Sequence, residues 1–366
     1  MLMQLSSITR VTFVEAVRQP IFVILLLAGT LLMVINPSIS GYSMEPGAGD
    51  NKMLVDLGLG MVFTAGMFLA AFTATGVIHQ EMQSKTALTV VSKPVPRPVF
   101  ILGKFLGVSG AITIATYLLM LVFMLTLRHR VLQNKQDPLD WPVILFGLGA
   151  VLLALGIAGS ANYLYKKVFT STFIYVLMIT LTGGFALVTV INKKWGFQSP
   201  ITDFVADGNR IAEVAVGGVL ILQGLLIITA FAVALSTRFS QVVTLVTCAV
   251  IIGIGIASGT LSQLANSSVG IEPSAPVIQS IRTLMDADLP AARKSIYLGA
   301  KFIYIVAPNF QYHWPADAIS QGNSLIHEAD GKLSFNYIGT VTAYSASYIA
   351  AILSLATILF QKREVS

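Results

Sequence analysis

Charge is what this 366-residue sequence has least of: Asp, Glu, Lys and Arg make up 11% of it, against 55% apolar residues. Soluble domains carry roughly 25% charged residues. The 23 basic and 17 acidic side chains present could not cover a soluble core of this length. Solution enzymes, nucleic-acid binders and disordered scaffolds are thereby excluded, and a mean hydropathy of +0.78 puts the chain in a membrane. The net charge of +6 does not restore a nucleic-acid partner, because the basic residues stand singly or in pairs rather than along one face. Cysteine is nearly missing as well. Cys248 alone rules out an intramolecular disulfide and a thiolate metal cluster, and its apolar neighbours mark it as a packed thiol.

Catalytic signatures are absent too. There is no G-x-x-x-x-G-K-[ST] phosphate loop, since Gly103-Lys104 is followed by Phe105 and Gly331-Lys332 by Leu333. His327-Glu328 lacks the second histidine of H-E-x-x-H, and no G-x-S-x-G elbow occurs. His79, His129 and His313 have no spacing that fixes a metal and read as interfacial or solvated side chains. The run from Gly253 through Gly255 to Gly259 lacks the strand and spacing of a dinucleotide site and reads as helix packing. No cofactor or metal is expected, and the chain itself reads as no enzyme.

What is present is a series of long apolar runs. A bilayer core needs about 20 apolar residues in a helix, and eight stretches approach or exceed that. They are Ile21 to Ile35, Leu57 to Ile78, Phe105 to Leu127, Val143 to Ala161, Phe173 to Ile191, Val214 to Leu235, Val242 to Leu264 and Ile338 to Phe360. The first is short, so its helix is predicted to begin near Pro20. Ile296 to Val306 is too short to span, contains Lys301, and reads as a re-entrant or interfacial helix. The expected fold is an all-α polytopic bundle in one domain, residues 1–366, with an outer loop over 265–337.

Eight spans put both termini on one side. If that side is cytoplasmic, the inside holds eleven Lys and Arg residues, against seven in the short outer loops and five in the long one. Cytoplasmic termini are therefore expected. A signal peptide is the competing reading of the N-terminus, but its apolar run lies late and no small-x-small cleavage site follows Ile35 cleanly. Leu5, Ile8, Val11 and Val14 recur at spacings of three, which predicts an amphipathic helix on the inner surface within residues 1–20.

The eight stretches contain no Asp, Glu, Lys, Arg or His; Asp56 and Glu213 stand just outside two of them. Ion-coupled carriers need ionisable groups inside the bilayer. A transporter built this way draws its energy from elsewhere, and a partner ATPase is the simplest source. Gln223, Thr180 and Thr182 are the polar residues that would favour transport if they faced a cavity.

The inner segment 79–104 is the most informative. Glu81 and Lys85 stand four apart with the acid first, a favourable helix pair, whereas Pro94, Pro96 and Pro98 deny the backbone a helix and stiffen the link. A stiff link between a surface helix and a span can pass force from a soluble partner into the bilayer; an ordinary solvated loop would share the composition. In the outer loop, helix-compatible pieces run from Ala275 to Met285 and Pro290 to Val306, followed by Phe310, Tyr312 and Trp314, which read as an interfacial belt.

These residues resemble a family. Glu81-Met-Gln-Ser-Lys-Thr86, then Val91-Ser-Lys-Pro94-Val-Pro-Arg97, then Leu102-Gly103-Lys104 are similar to the E-x-x-x-x-T, l-s-x-P-x-x-R and l-G-K patterns of ABC-2 type exporter permeases. Pro308-Asn309-Phe310, Asp317 and the closing Phe360-Gln-Lys-Arg363-Glu364 look like the family's outer P-N-f, its following acid and its final F-x-x-R-E. Thr12-Phe-Val-Glu15 to Arg18-Gln-Pro20 resembles its elbow helix, and Leu235 to Ser240 its short link before the penultimate span. The likeness covers roughly residues 8–127 and 236–366, and is nearest the permeases of nitrous-oxide reductase copper-site maturation and gliding motility.

The resemblance implies a six-span core, a coupling helix at Glu81 to Thr86 docked on an ATP-binding cassette ATPase, and a second permease subunit in the bacterial inner membrane. Glu81, Lys85 and Thr86 would couple to the ATPase, with Arg97 and Lys104 beside them, and Ile296 to Val306 would be the re-entrant piece. The sequence departs from the family between Arg128 and Ser236, where three spans replace one. A non-transporting membrane scaffold or assembly factor is the rival reading.

Overall fold

The computed structural model describes residues 1–42, 48–83, 96–132, 139–200, 211–269, 290–320, 325 and 335–361. In chain order its helices are α1 (Leu2–Arg18), α2 (Pro20–Ser40), α3 (Ala48–Gln83), α4 (Arg97–His129), α5 (Trp141–Tyr165), α6 (Phe169–Val190), α7 (Ile211–Ser236), α8 (Gln241–Val269), α9 (Ala291–Val306), α10 (Ala316–Ser320) and α11 (Asn336–Gln361). A 3-10 turn, Phe310–His313, joins α9 to α10. Among the described residues the sole β-type pairing is an isolated bridge between Ile191 and Phe197. Eight of the helices, α2 to α8 and α11, are long and apolar enough to cross a membrane. The chain is an all-α polytopic bundle, because a helix alone satisfies its own backbone in hydrocarbon.

The face of the bundle where α2 begins and α11 ends is here the terminal face, and the opposite one the distal face. Proline stands in the first turn of α2, α4 and α5, where its missing N–H leaves no bond unmade. Pro98 is thus inside α4 rather than in a non-helical link, and Pro96 is its N-cap. Pro94 lies outside the described residues.

Three helices form the centre. In their most apolar 18-residue stretches 78% of α4, 61% of α7 and 56% of α3 are buried. Phe123 of α4 is fully buried and fills the space over Gly58 of α3. By contrast α5 and α6 pack chiefly on each other: Ala150, Ala154 and Ala158 of α5 are buried, and Thr180 of α6 donates to the Ala150 carbonyl at 3.0 Å. Small residues four apart let the two backbones approach.

Helix α1 lies along α4, with Ile8 over Gly103 and Thr12 over Gly107. Its inward stripe contains Thr12, Ala16 and Val17, whereas Val11 is exposed. The expected stripe at spacings of three is therefore displaced, since a 3.6-residue period carries the contact face to spacings of four.

Candidate functional site: a re-entrant hairpin beside a cavity

Helix α9 is amphipathic with its polar side turned inward. Ile296, Phe302, Ile305 and Val306 are exposed, whereas Tyr297 and Lys301, one turn apart, are buried against α8. The Tyr297 hydroxyl donates to Asn266 Oδ1 at 3.3 Å, and Lys301 Nζ donates to Ser262 Oγ at 2.9 Å. The rings of Tyr297 and Tyr304 each lie 5.6 Å from the Lys301 ammonium. No carboxylate pairs with Lys301 among the described residues, so its charge is held by a hydroxyl and two π-faces. The polar side of α9 is thereby joined to α8 through Lys301.

The chain then runs antiparallel to α8 and reaches half its depth. Pro308 and Phe310 press on Gly255, and Gln311 on Gly259, both near the middle of the 29-residue α8. Any larger residue at Gly255 would meet the Pro308 carbonyl and the Phe310 ring. The predicted packing role of this glycine run is thus realised, and its counterpart is the hairpin. The short helix expected over Ile296 to Val306 is present and begins earlier, at Ala291.

At the turn, Asn309 caps the 3-10 segment by accepting from Gln311 N at 3.0 Å, while its own N–H donates to the Tyr344 hydroxyl at 2.9 Å. Gln311 Nε2 donates to the Ile256 carbonyl at 3.3 Å. Tyr337 donates to the Tyr312 carbonyl at 2.8 Å, and Tyr348 to that of Val306. The Ser345 hydroxyl proton is committed to the Val341 carbonyl, so His313 donates to Ser345 Oγ through Nε2, at 2.8 Å. Two expectations fail here. His313 is 1% exposed rather than solvated, and Phe310 is buried rather than part of a headgroup belt. Both are drawn inward because α8 and α11 supply the partners that a local sequence window does not contain.

The hairpin lines a cavity of about 960 Å³ together with α2, α3 and α8. Its wall is largely apolar, with Asp56, Thr64, Gln311 and Trp314 as polar points. Trp314 stands edge-on to Phe63 at 5.9 Å, which fixes the hairpin against α3. Beyond the turn, Pro315 and Ile319 rest on Gly217 of α7, and Glu213 accepts from the Leu325 N–H at 2.8 Å. The three polar residues singled out for a cavity serve helix contacts instead. Gln223 donates to Thr342 at 2.8 Å, Thr180 bonds to α5, and Thr182 meets the Tyr117 hydroxyl at 2.9 Å.

The residues expected to couple to an ATPase gather at the terminal face only in part. Glu81 belongs to the last turn of α3, its side chain outside the described part, and Lys85 and Thr86 lie outside the described residues. Arg97 is exposed at the first position of α4. Lys104 is seven residues further in, buried under α1, with Nζ 3.9 Å from Glu15 and 5.6 Å from the Phe100 ring centre. It ties α1 to α4 rather than presenting itself at the surface. Glu15 is the partner that sequence reasoning did not find; its side chain is partly exposed beside the inward stripe of α1. Family models, curated proteins and solved structures offer no match to this chain, and its own geometry carries the functional reading.

Proposed function

We propose that the chain is the transmembrane permease subunit of an ATP-binding cassette exporter, acting with a separate ATPase and a second permease subunit in the bacterial inner membrane, termini in the cytoplasm. The observation that carries this reading is the re-entrant hairpin reaching mid-depth beside a cavity whose wall is largely α3. The segment 79–104 joins α3 to α4 directly, so force applied to it from the terminal face is delivered to the cavity wall and to the most buried helix. ATP binding would favour one arrangement of that wall through contacts that differ between nucleotide states. The largely apolar lining favours an amphipathic cargo.

Purification of the tagged protein from its own cells in mild detergent tests this. Recovery of a stoichiometric phosphate-loop ATPase with ATP hydrolysis supports the proposal; its repeated absence from intact, folded protein overturns it in favour of a scaffold. Within the complex, reversing both charges as Glu81→Lys with Lys85→Glu is expected to lower transport on the order of tenfold at unchanged membrane insertion, because interface charge pairs would be mismatched. Unchanged coupling would remove these two residues from the docking surface.

A further inference from the structure

At the terminal face the end of the α5–α6 hairpin is uncovered. Tyr163, Leu164 and Tyr165, the last three residues of α5, are 78%, 66% and 73% exposed. Successive helical residues point about 100° apart, so this last turn is open over most of its circumference. One flat protein surface would cover only a side of it, whereas surrounding lipid reaches all of it. Its depth follows from the opposite end of the helix, where Trp141, the first residue of α5, is exposed as well. At 1.5 Å per residue Trp141 and Tyr163 lie about 33 Å apart along the axis, which matches a hydrocarbon core of about 30 Å. Trp and Tyr settle at the two boundaries of that core, so the residues after Tyr165 lie at headgroup depth.

Two cations stand at that depth on a locked turn. Lys166 closes α5 in the left-handed region at φ 55°, its N–H donating to the Asn162 carbonyl at 3.1 Å, and the Lys167 N–H donates to that of Ala161 at 3.3 Å. Asn162 Nδ2 donates to the Lys167 carbonyl at 2.7 Å. The turn thus uses its polar backbone groups internally. Both lysine side chains are exposed, and neither ammonium makes an ion pair or a hydrogen bond among the described residues. Thr170 Oγ1 donates to the Arg18 carbonyl at 3.5 Å, which brings the end of α1, with its exposed Arg18, beside the start of α6. Through residues 139–200 the sole acid is Asp140, at the far end of α5 and 3.3 Å from Arg128.

We propose that this turn binds anionic phospholipid headgroups of the leaflet at the terminal face, with phosphates on Lys166 and Lys167 and the rings of Tyr163 and Tyr165 at the edge of the hydrocarbon. Basic side chains at the membrane surface attract anionic lipid, and the phenol tips hold the turn at the level where that attraction acts. Arg18 adds a third cation from α1. The α5–α6 hairpin is then the part of the chain that selects its surrounding lipid.

Lipid selectivity beside the turn tests this. The full chain, purified and placed in phosphatidylcholine nanodiscs, carries a fluorophore on Val168→Cys, an exposed position; the native Cys248 is buried and stays unlabelled. Brominated phosphatidylglycerol should quench this label as strongly as an about tenfold larger fraction of brominated phosphatidylcholine. Lys166→Asn with Lys167→Gln removes both charges, and asparagine suits the left-handed backbone. Its thermal unfolding should be unchanged and its preference should fall to about twofold or less. Lys166→Arg with Lys167→Arg should keep the preference. Salt at about 1 M should weaken it, because exposed charges are screened there within about 3 Å. Equal quenching by the two lipids in the chain with both lysines, or an unchanged preference in the neutral variant, would overturn the proposal. So would a label that neither lipid quenches, which would give the turn to a protein surface.

Discussion

The central helices and the α5–α6 hairpin are equally apolar yet built on different terms. Helix α4 has a mean hydropathy of 2.2 in its most apolar stretch and α5 one of 2.3, but 78% of the first is buried and 22% of the second. Hydropathy therefore reports on the solvent, not on the neighbour. In α4 the inward residues are bulky and meet glycines on other helices, as Phe123 meets Gly58. In α5 the inward residues are alanines that serve one partner, and Leu145, Leu148 and Leu152 are exposed. The other six spans hold the hairpin, the cavity and the ends of the terminal-face segment, whereas α5 and α6 pack chiefly on each other at the side of α4.

Paired substitutions can break this contrast. The largest effect is expected at Gly255, where leucine would collide with the Pro308 backbone; about 3 kcal/mol of destabilisation is expected from overpacking that cannot relax. Leucine at Gly156, which has no neighbour within 4 Å, should stay within about 0.5 kcal/mol. Thermal unfolding in detergent would show both, and similar losses would refute the division. A smaller gap is expected between Phe123→Ala and Leu152→Ala. The first empties a fully buried site and should cost about 2 kcal/mol, since in lipid the lost packing counts and the transfer from water does not. The second, 59% exposed, should be near neutral in the same assay. The smallest effect concerns the joint between the two regions. Tyr117→Phe removes the hydroxyl contact to Thr182 and should loosen the hairpin by about 0.6 kcal/mol. Hydrogen exchange should then quicken in α5 and α6 but not in α7; uniform quickening would mean that the pair is no separate module.

The spans were legible because a membrane helix must be apolar along its whole length, so each announces itself locally. Seven of the eight expected stretches fall within helices of the structure, and the eighth, Phe173 to Ile191, overruns its helix by the C-cap residue Ile191. The site was legible only where its signal was local. Lys301 marked α9 as unable to span, but what holds it, Ser262, lies 39 residues earlier. His313 read as interfacial or solvated because no other histidine stands at a metal-fixing spacing from it; in the structure it is buried against Ser345, on the last helix. Lys104 was expected among the coupling residues, and its ammonium lies 3.9 Å from Glu15 of α1, 89 positions away in sequence. Each of these depends on which helices become neighbours, and periodicity within one helix carries no information about that.

The inward polar side of α9 bears on how the protein is made. A lysine at the centre of a lone helix costs about 2.5 to 3.5 kcal/mol on membrane insertion, so α9 is a poor candidate for leaving the insertion machinery alone. It can enter the bilayer cheaply only beside α8, already synthesised, which offers Ser262 and Asn266. Its turn stays incomplete until α11 arrives with Tyr344 and Ser345. Biogenesis is then ordered by the chain itself, and truncation before α11 should leave Asn309 and His313 of the turn without Tyr344 and Ser345 even with seven spans in place.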